Sequence, residues 1–92
     1  MEAPKIRSVR ALKDKRLLVE FVEGTKRTYD CTQLLLMERF QPLRNEAFFR
    51  SVRLDPGGHG ISWDDDTDLS EYELWINSRE PAPAEWEQVR TG

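Results

Sequence analysis

The 92-residue chain has a single cysteine, Cys31, and a single histidine, His59. One cysteine excludes an intrachain disulfide framework and any zinc site built on cysteine pairs, and it fits a reducing compartment. Long apolar runs are also missing. The longest aliphatic stretch, Leu34 to Met37, is far too short to cross a bilayer. Met1-Glu2-Ala3-Pro4-Lys5 lacks the apolar segment of a secretory signal. A cytoplasmic protein with no membrane partner is expected.

Bulky material is present in a polar chain. Hydrophobic residues make up 38% and charged residues 34%, yet there are three Trp, four Phe and two Tyr. A chain disordered throughout is poor in such residues, so a core is expected. The length fits one domain. A domain this short buries about 60–65% of its unfolded surface, which favours association. The net charge of −3 is uneven: residues 1–30 hold eight Lys or Arg against five acids, whereas residues 61–92 hold two against nine. Such asymmetry marks either an interaction surface or ends that neutralise each other in the fold or between copies.

The pattern reads as α+β: an antiparallel β-meander and a second hairpin, packed with short helices. Residues 5–12 form a first strand whose imperfect alternation suits a bulge or an edge. Lys13-Asp14-Lys15 turns the chain into 16–22, where Leu17, Val19 and Phe21 share one face by period two. Gly24 supplies the freedom of the next turn, and residues 26–30 return with Tyr29 toward the core. Asp30 and Gln33 have capping-box spacing for a helix with Leu34, Leu35 and Met37 on its apolar side, interrupted at Pro42. Asn45 caps a short turn that buries Phe48 or Phe49. Residues 51–63 make a hairpin around Asp55-Pro56-Gly57-Gly58-His59-Gly60. Residues 64–68 read as a solvated loop. Ser70 and Glu73 match a second capping box opening a helix through Ile76, with a strand as the alternative. The domain is assigned to residues 1–78, and 79–92, with two prolines and Trp86, to an extended tail.

These landmarks resemble a family of short bacterial domains of unknown function. The residues that carry the resemblance are Ile6 and Val9, Leu17-x-Val19-x-Phe21-x-x-Gly24, Tyr29-Asp30, Leu34-Leu35, Phe40-x-x-Leu43, Phe49-x-x-Val52, Ile61-x-Trp63, and Asp68-Leu69-Ser70 with Leu74. The resemblance covers roughly residues 5–76. It implies a β-meander, one or two helical turns, a second hairpin and a short terminal helix. It also implies a regulatory or partner-binding setting: such domains occur alone, in toxin–antitoxin-like pairs, or ahead of a helix-turn-helix domain. It implies no catalytic residues. The three consecutive aspartates at 64–66 and the absence of a DNA-binding domain after Ser78 depart from the pattern.

No motif carries catalysis, so a non-enzyme without metal or cofactor is expected. Asp64, Asp66 and Asp68 occupy the first, third and fifth places of a calcium loop, but Leu69 and Trp75 stand where its Gly and Glu belong. A solvated loop whose Asp68 helps cap the next helix is the preferred reading. His59 lacks a second acid–base group placed by any motif. Cys31, at a helix start, reads as a small buried apolar residue. The glycine turn lacks the Gly-Lys-Ser/Thr ending of a phosphate loop.

Two functional classes remain. The first is a protein-interaction or regulatory module, binding a partner protein or itself as a homo-oligomer, most simply a dimer. Its anchors are Tyr72, Trp75 and Trp86, because aromatic residues dominate interface energetics, and the edge strand at 5–12 is available for pairing with another chain. The alternative is a nucleic-acid-binding regulator using Lys5, Arg7, Arg10, Lys13, Lys15, Arg16, Lys26 and Arg27. The acidic last third, which repels phosphate, counts against it.

Overall fold

The strand alternation, the glycine turns and the caps each find a place in the computed structural model, which describes residues 3–81. Three strands, β1 (Ile6–Ala11), β2 (Arg16–Phe21) and β3 (Lys26–Asp30), form an antiparallel sheet in the order β1-β2-β3. Two 3-10 segments follow, Cys31–Leu36 and Glu38–Arg44, then α1 (Glu46–Arg50). A second antiparallel sheet is built from β4 (Arg53–Leu54), β5 (Gly60–Asp64) and β6 (Thr67–Ser70), and α2 (Glu71–Ile76) closes the fold.

Period two sets the first sheet. Leu17, Val19 and Phe21 are fully buried, and Tyr29, opposite Leu17, joins them. The register shifts between Ile6 and Ser8, so β1 is both bulged and an edge strand. At the β1–β2 turn Asp14 and Lys15 have φ of 61° and 60°, the paired left-handed conformation that matches strand twist in a tight hairpin. Gly24 supplies the φ of 104° that the β2–β3 turn requires.

The segment after β3 departs from the expected α-helix. It forms two 3-10 segments instead, and the Asp30–Gln33 capping box does not form. Asp30 Oδ1 accepts instead from the Thr32 amide at 2.9 Å and its hydroxyl at 2.7 Å. Met37 is extended and closes the first segment with an i→i+3 bond to the Leu34 carbonyl, 2.9 Å. Pro42 then denies the second segment a donor. Leu34, Phe40 and Leu43 reach the core from this arch, but Met37, expected on the apolar side, is 48% exposed.

Asn45 caps α1 as expected, its Oδ1 accepting from the Phe48 amide at 2.9 Å, and Phe49 is the buried aromatic while Phe48 packs at the margin. The loop expected at 64–68 proves to be a tight turn followed by β6. Thr67 and Leu69 are buried and alternate with exposed Asp68 and Ser70, a period-two signal too short to stand out beside three aspartates. Asp68 therefore lies in a strand opposite Ser62 and does not cap α2. Ser70 performs that role, with its Oγ accepting from the Glu73 amide at 3.1 Å, and 71–76 is a helix rather than a strand.

One core joins both sheets. Ile6, Leu17, Val19, Phe21 and Tyr29 of the first meander pack with Ile61, Trp63 and Leu69 of the second, with Phe49 and Leu74 contributed by the helices. Trp63 Nε1 donates to the Phe49 carbonyl at 2.8 Å, which satisfies a buried indole and fixes α1 to β5. Three consecutive β3 residues hold α2 and the chain after it. Arg27 bonds the Ser78 hydroxyl and carbonyl, Tyr29 bonds Glu73, and Thr28 exchanges two backbone hydrogen bonds with Arg79 at 2.7 and 2.9 Å. The first sheet thus still holds the chain at Arg79, one residue past the boundary expected at 78. Among the described residues no helix is long and apolar enough to cross a membrane.

Candidate interaction surface

An open cleft of about 290 Å³ lies between the 3-10 arch and the β6–α2 corner. Leu34, Met37 and Phe40 line it from the arch, and Leu69, Ser70 and Glu73 from the corner. Arg39 and Asp68 close one rim as an ion pair, Nη2 to Oδ1 3.1 Å, with the Arg39 guanidinium also lying over the Phe40 ring at 4.8 Å. Both partners are exposed, so the pair adds little stability but fixes the rim's charge pattern.

The arch holds its shape through polar tethers at one carbonyl. Gln41 Nε2 and Arg44 Nη2 both donate to the Leu35 carbonyl, the latter at 3.2 Å, and Arg44 Nε donates to Gln41 Oε1 at 2.7 Å. With Leu34 turned inward and Leu35 half-buried, Leu36 is left 88% exposed beside the cleft. On the other side Tyr72 is 53% exposed and Ile76 is also exposed, both on α2 with Glu73. Glu73 is well anchored. Its Oε2 accepts from Tyr29 Oη at 2.8 Å and from Asn77 Nδ2 at 2.9 Å. Burial and this hydrogen bond push the Tyr29 phenol above its ordinary range, so it stays a donor at neutral pH.

The sequence singled out three aromatic anchors, and they fall in different places. Tyr72 is exposed on α2. Trp75 meets Phe21 edge-on, centroids 5.0 Å apart, with Arg27 over its ring at 5.1 Å, so most of its surface is engaged within the domain. Trp86 lies outside the described residues. Leu36 and Arg39 are not singled out by the sequence, and Met37 and Asp68 are read there in other roles. The signal for Leu36 and Met37 is the run Leu34-Leu35-Leu36-Met37, because four consecutive apolar residues cannot all face one core from a single turn.

The basic residues do not form one stripe. By the strand register Arg10, Arg16 and Lys26 share the outer face of the first sheet, whereas Arg27 aligns with Val19 on the core side. Arg7 sits at the bulge and donates to the Val22 carbonyl at 3.1 Å. Lys15 pairs with Glu46 and lies over the Phe49 ring at 5.3 Å, and Lys26 pairs with Glu20 at 3.7 Å. Lys5 and Lys13 are exposed at the ends of β1.

Other chemistry-bearing groups lie apart from the cleft. Burial, with the Asp30 charge beside it, pushes the Cys31 thiol up to about 12, which keeps it protonated and unreactive. Partial burial works to raise the Asp30 carboxyl, but the Thr32 bonds and the Arg16 and Arg79 charges outweigh it and hold it below its usual range. His59 Nδ1 stands 3.7 Å from Glu71 Oε2. Asp64 Oδ1 accepts from the Asp66 amide at 3.0 Å, a local turn bond. Among the described residues no three His, Cys, Asp or Glu side chains converge on a point that would hold a metal ion.

Residues 6–80 match the family described as Protein of unknown function (DUF2442), and the chain belongs to that family. The matched span covers both meanders, the arch, α2 and the Thr28–Arg79 bridge. No curated protein and no solved structure matches the chain.

Proposed function

We propose that this DUF2442 domain is a non-catalytic protein-interaction module and that it associates with a second copy of itself through the cleft. The observation that carries this reading is Leu36, 88% exposed on the arch whose Leu34, Met37 and Phe40 line an open cleft. An exposed leucine is ordinary when isolated. Here it lies in the run between Leu34 and Met37, which both line the cleft, and the opposite wall carries Glu73, on the same helix as exposed Tyr72 and Ile76. Knob and cleft being neighbours suits a twofold arrangement, in which each copy inserts its Leu36 into the other's cleft. The rim supports the same partner. It carries charges of both signs, Arg39 with Asp68 and Glu73, so in a twofold arrangement the Arg39 of one copy can face a carboxylate of the other.

Leu36→Glu is the test, read by sedimentation equilibrium over a wide concentration range. The expected result is a dimer for the unaltered chain and a monomer for the variant, with unchanged circular dichroism. Equal masses for both chains at every concentration would overturn self-association through this surface. A nuclease-resistant protein captured by the unaltered chain and lost with Leu36→Glu would assign the cleft to a different protein partner.

A further inference from the structure

The two faces of the first sheet present a contradiction that points to another surface. Leu17, Val19 and Phe21 face the core, so period two turns Leu18 to the opposite face. Leu18 is nevertheless only 6% exposed, and Leu12, on the same outer face, only 2%. Both stand apart from the main core cluster. The strand register gives the layout of this face. Arg10, Leu18 and Thr28 form one row, and Ser8, Glu20 and Lys26 a neighbouring one. On the other side Leu12 opposes Arg16 through a 2.7 Å backbone hydrogen bond, and Arg16 pairs with Asp30. The result is an apolar diagonal, Leu12 to Leu18 to Thr28, edged by Arg10, Arg16 and Lys26.

We propose that this outer face is a receptor groove for the chain's own C-terminal segment, with Trp86 as the apolar anchor over Leu12 and Leu18. The chain is delivered to that face. Arg79 is bridged to Thr28 at the edge of β3, in the same row as Leu18. Neighbouring strands are about 4.8 Å apart, so the segment starts at Arg79 roughly 5 Å from Thr28, 10 Å from Leu18 and 14 Å from Arg10. Trp86 is seven residues past Arg79, a reach of up to about 24 Å when extended, which is enough to cross the sheet. Pro81 and Pro83 favour such an extended path. Charge matches as well: Glu85 and Glu87 flank Trp86, and cations edge the groove. The groove lies on a different face from the cleft, so this assignment stands or falls independently of self-association.

Nuclear Overhauser contacts in the full chain test it. Cross-peaks are expected from the Trp86 indole to the methyl groups of Leu12 and Leu18, and the ring-current shifts of those methyls should collapse in Trp86→Ala. The indole signals of Trp63 and Trp75 report whether that variant remains folded. Glu85→Lys with Glu87→Lys should speed Leu18 amide exchange by about tenfold, the scale of losing one modest contact. Absence of the cross-peaks in the unaltered chain, with methyl shifts unmoved by Trp86→Ala, overturns the proposal. So does their appearance between labelled and unlabelled chains in an isotope-filtered experiment, which would give the groove to a second copy's segment.

Discussion

The two meanders have the same topology and are stabilised by different means. In the first, strands of five or six residues pair along their length, and the core face follows from alternation alone. In the second, β4 has two residues and β6 four, and short ladders of this kind are marginal by themselves. Specific tethers compensate. Ser62 Oγ bonds Asp55 Oδ1 at 2.6 Å, the Asp55 amide bonds the Gly60 carbonyl at 3.0 Å, and Trp63 bonds the α1 carbonyl of Phe49. The Pro56–Gly58 turn also sits directly against the start of β1. A long periodic sheet therefore tolerates weak individual contacts, whereas a short one depends on a few close approaches.

The largest test of that contrast uses two glycines. Gly58 has a φ of 73°, and a Cβ there would stand 2.4 Å from the Ile6 carbonyl oxygen, which is backbone and cannot swing aside. Gly24 also has positive φ, but a Cβ would meet nothing within 4 Å. Gly58→Ala should cost about 3–5 kcal/mol, combining left-handed strain with overpacking, and Gly24→Ala about 1–2 kcal/mol from strain alone. Urea unfolding midpoints measure both. Equal losses would mean that the second meander does not depend on its seat against β1.

Alkaline titration probes the other side of the comparison, because Tyr29 and Cys31 lie at the end of the first meander. The folded Cys31 thiol is raised from 9.0 to about 12. Below pH 9 both folded and unfolded chains keep the proton, and the stabilisation is fully present. Between 9 and 12 the unfolded chain loses the proton first, so stability falls by up to about 1.4 kcal/mol per pH unit for this group. Tyr29, also raised, steepens the loss at higher pH. Cys31→Ala should flatten the decline above pH 9 in a denaturant series. An unchanged slope in that variant would show that the thiol is not shielded in the folded chain.

The same division explains what could be read from the sequence. Leu17, Val19, Phe21 and Tyr29 declared their face through period two, and Asn45 and Ser70 declared their helices through capping chemistry, because both signals are local. β6 was hidden since Thr67 and Leu69 give only two buried points among aspartates. The 3-10 arch carries a helical signal because capping-box spacing at Asp30 does not reveal that Thr32 takes the bond first. The cleft was least legible. Met37, Arg39 and Phe40 meet Asp68 and Glu73 only through tertiary packing of the arch on the β6–α2 corner, and no spacing encodes that meeting. Alternation also puts the adjacent Lys26 and Arg27 on opposite faces of the first sheet.

The smallest expected effect tests the contrast within the first meander itself. Lys15 holds a φ of 60°, a conformation that costs a non-glycine residue about 1 kcal/mol or more. Its side chain, 16% exposed, pairs with Glu46 and lies over Phe49. The contact over the ring contributes about 0.5–1 kcal/mol. Lys15→Gly removes the strain and the contacts together, so its urea midpoint should move by no more than about 0.5 kcal/mol equivalent. Lys15→Ala removes the contacts and keeps the strain, so it should fall about 1 kcal/mol below the glycine variant. A glycine variant that falls well below the unaltered chain would mean that Lys15 works as a tether to α1. The first meander would then depend on a single close contact, as the second does, and the distinction between the two would hold only for their ladders.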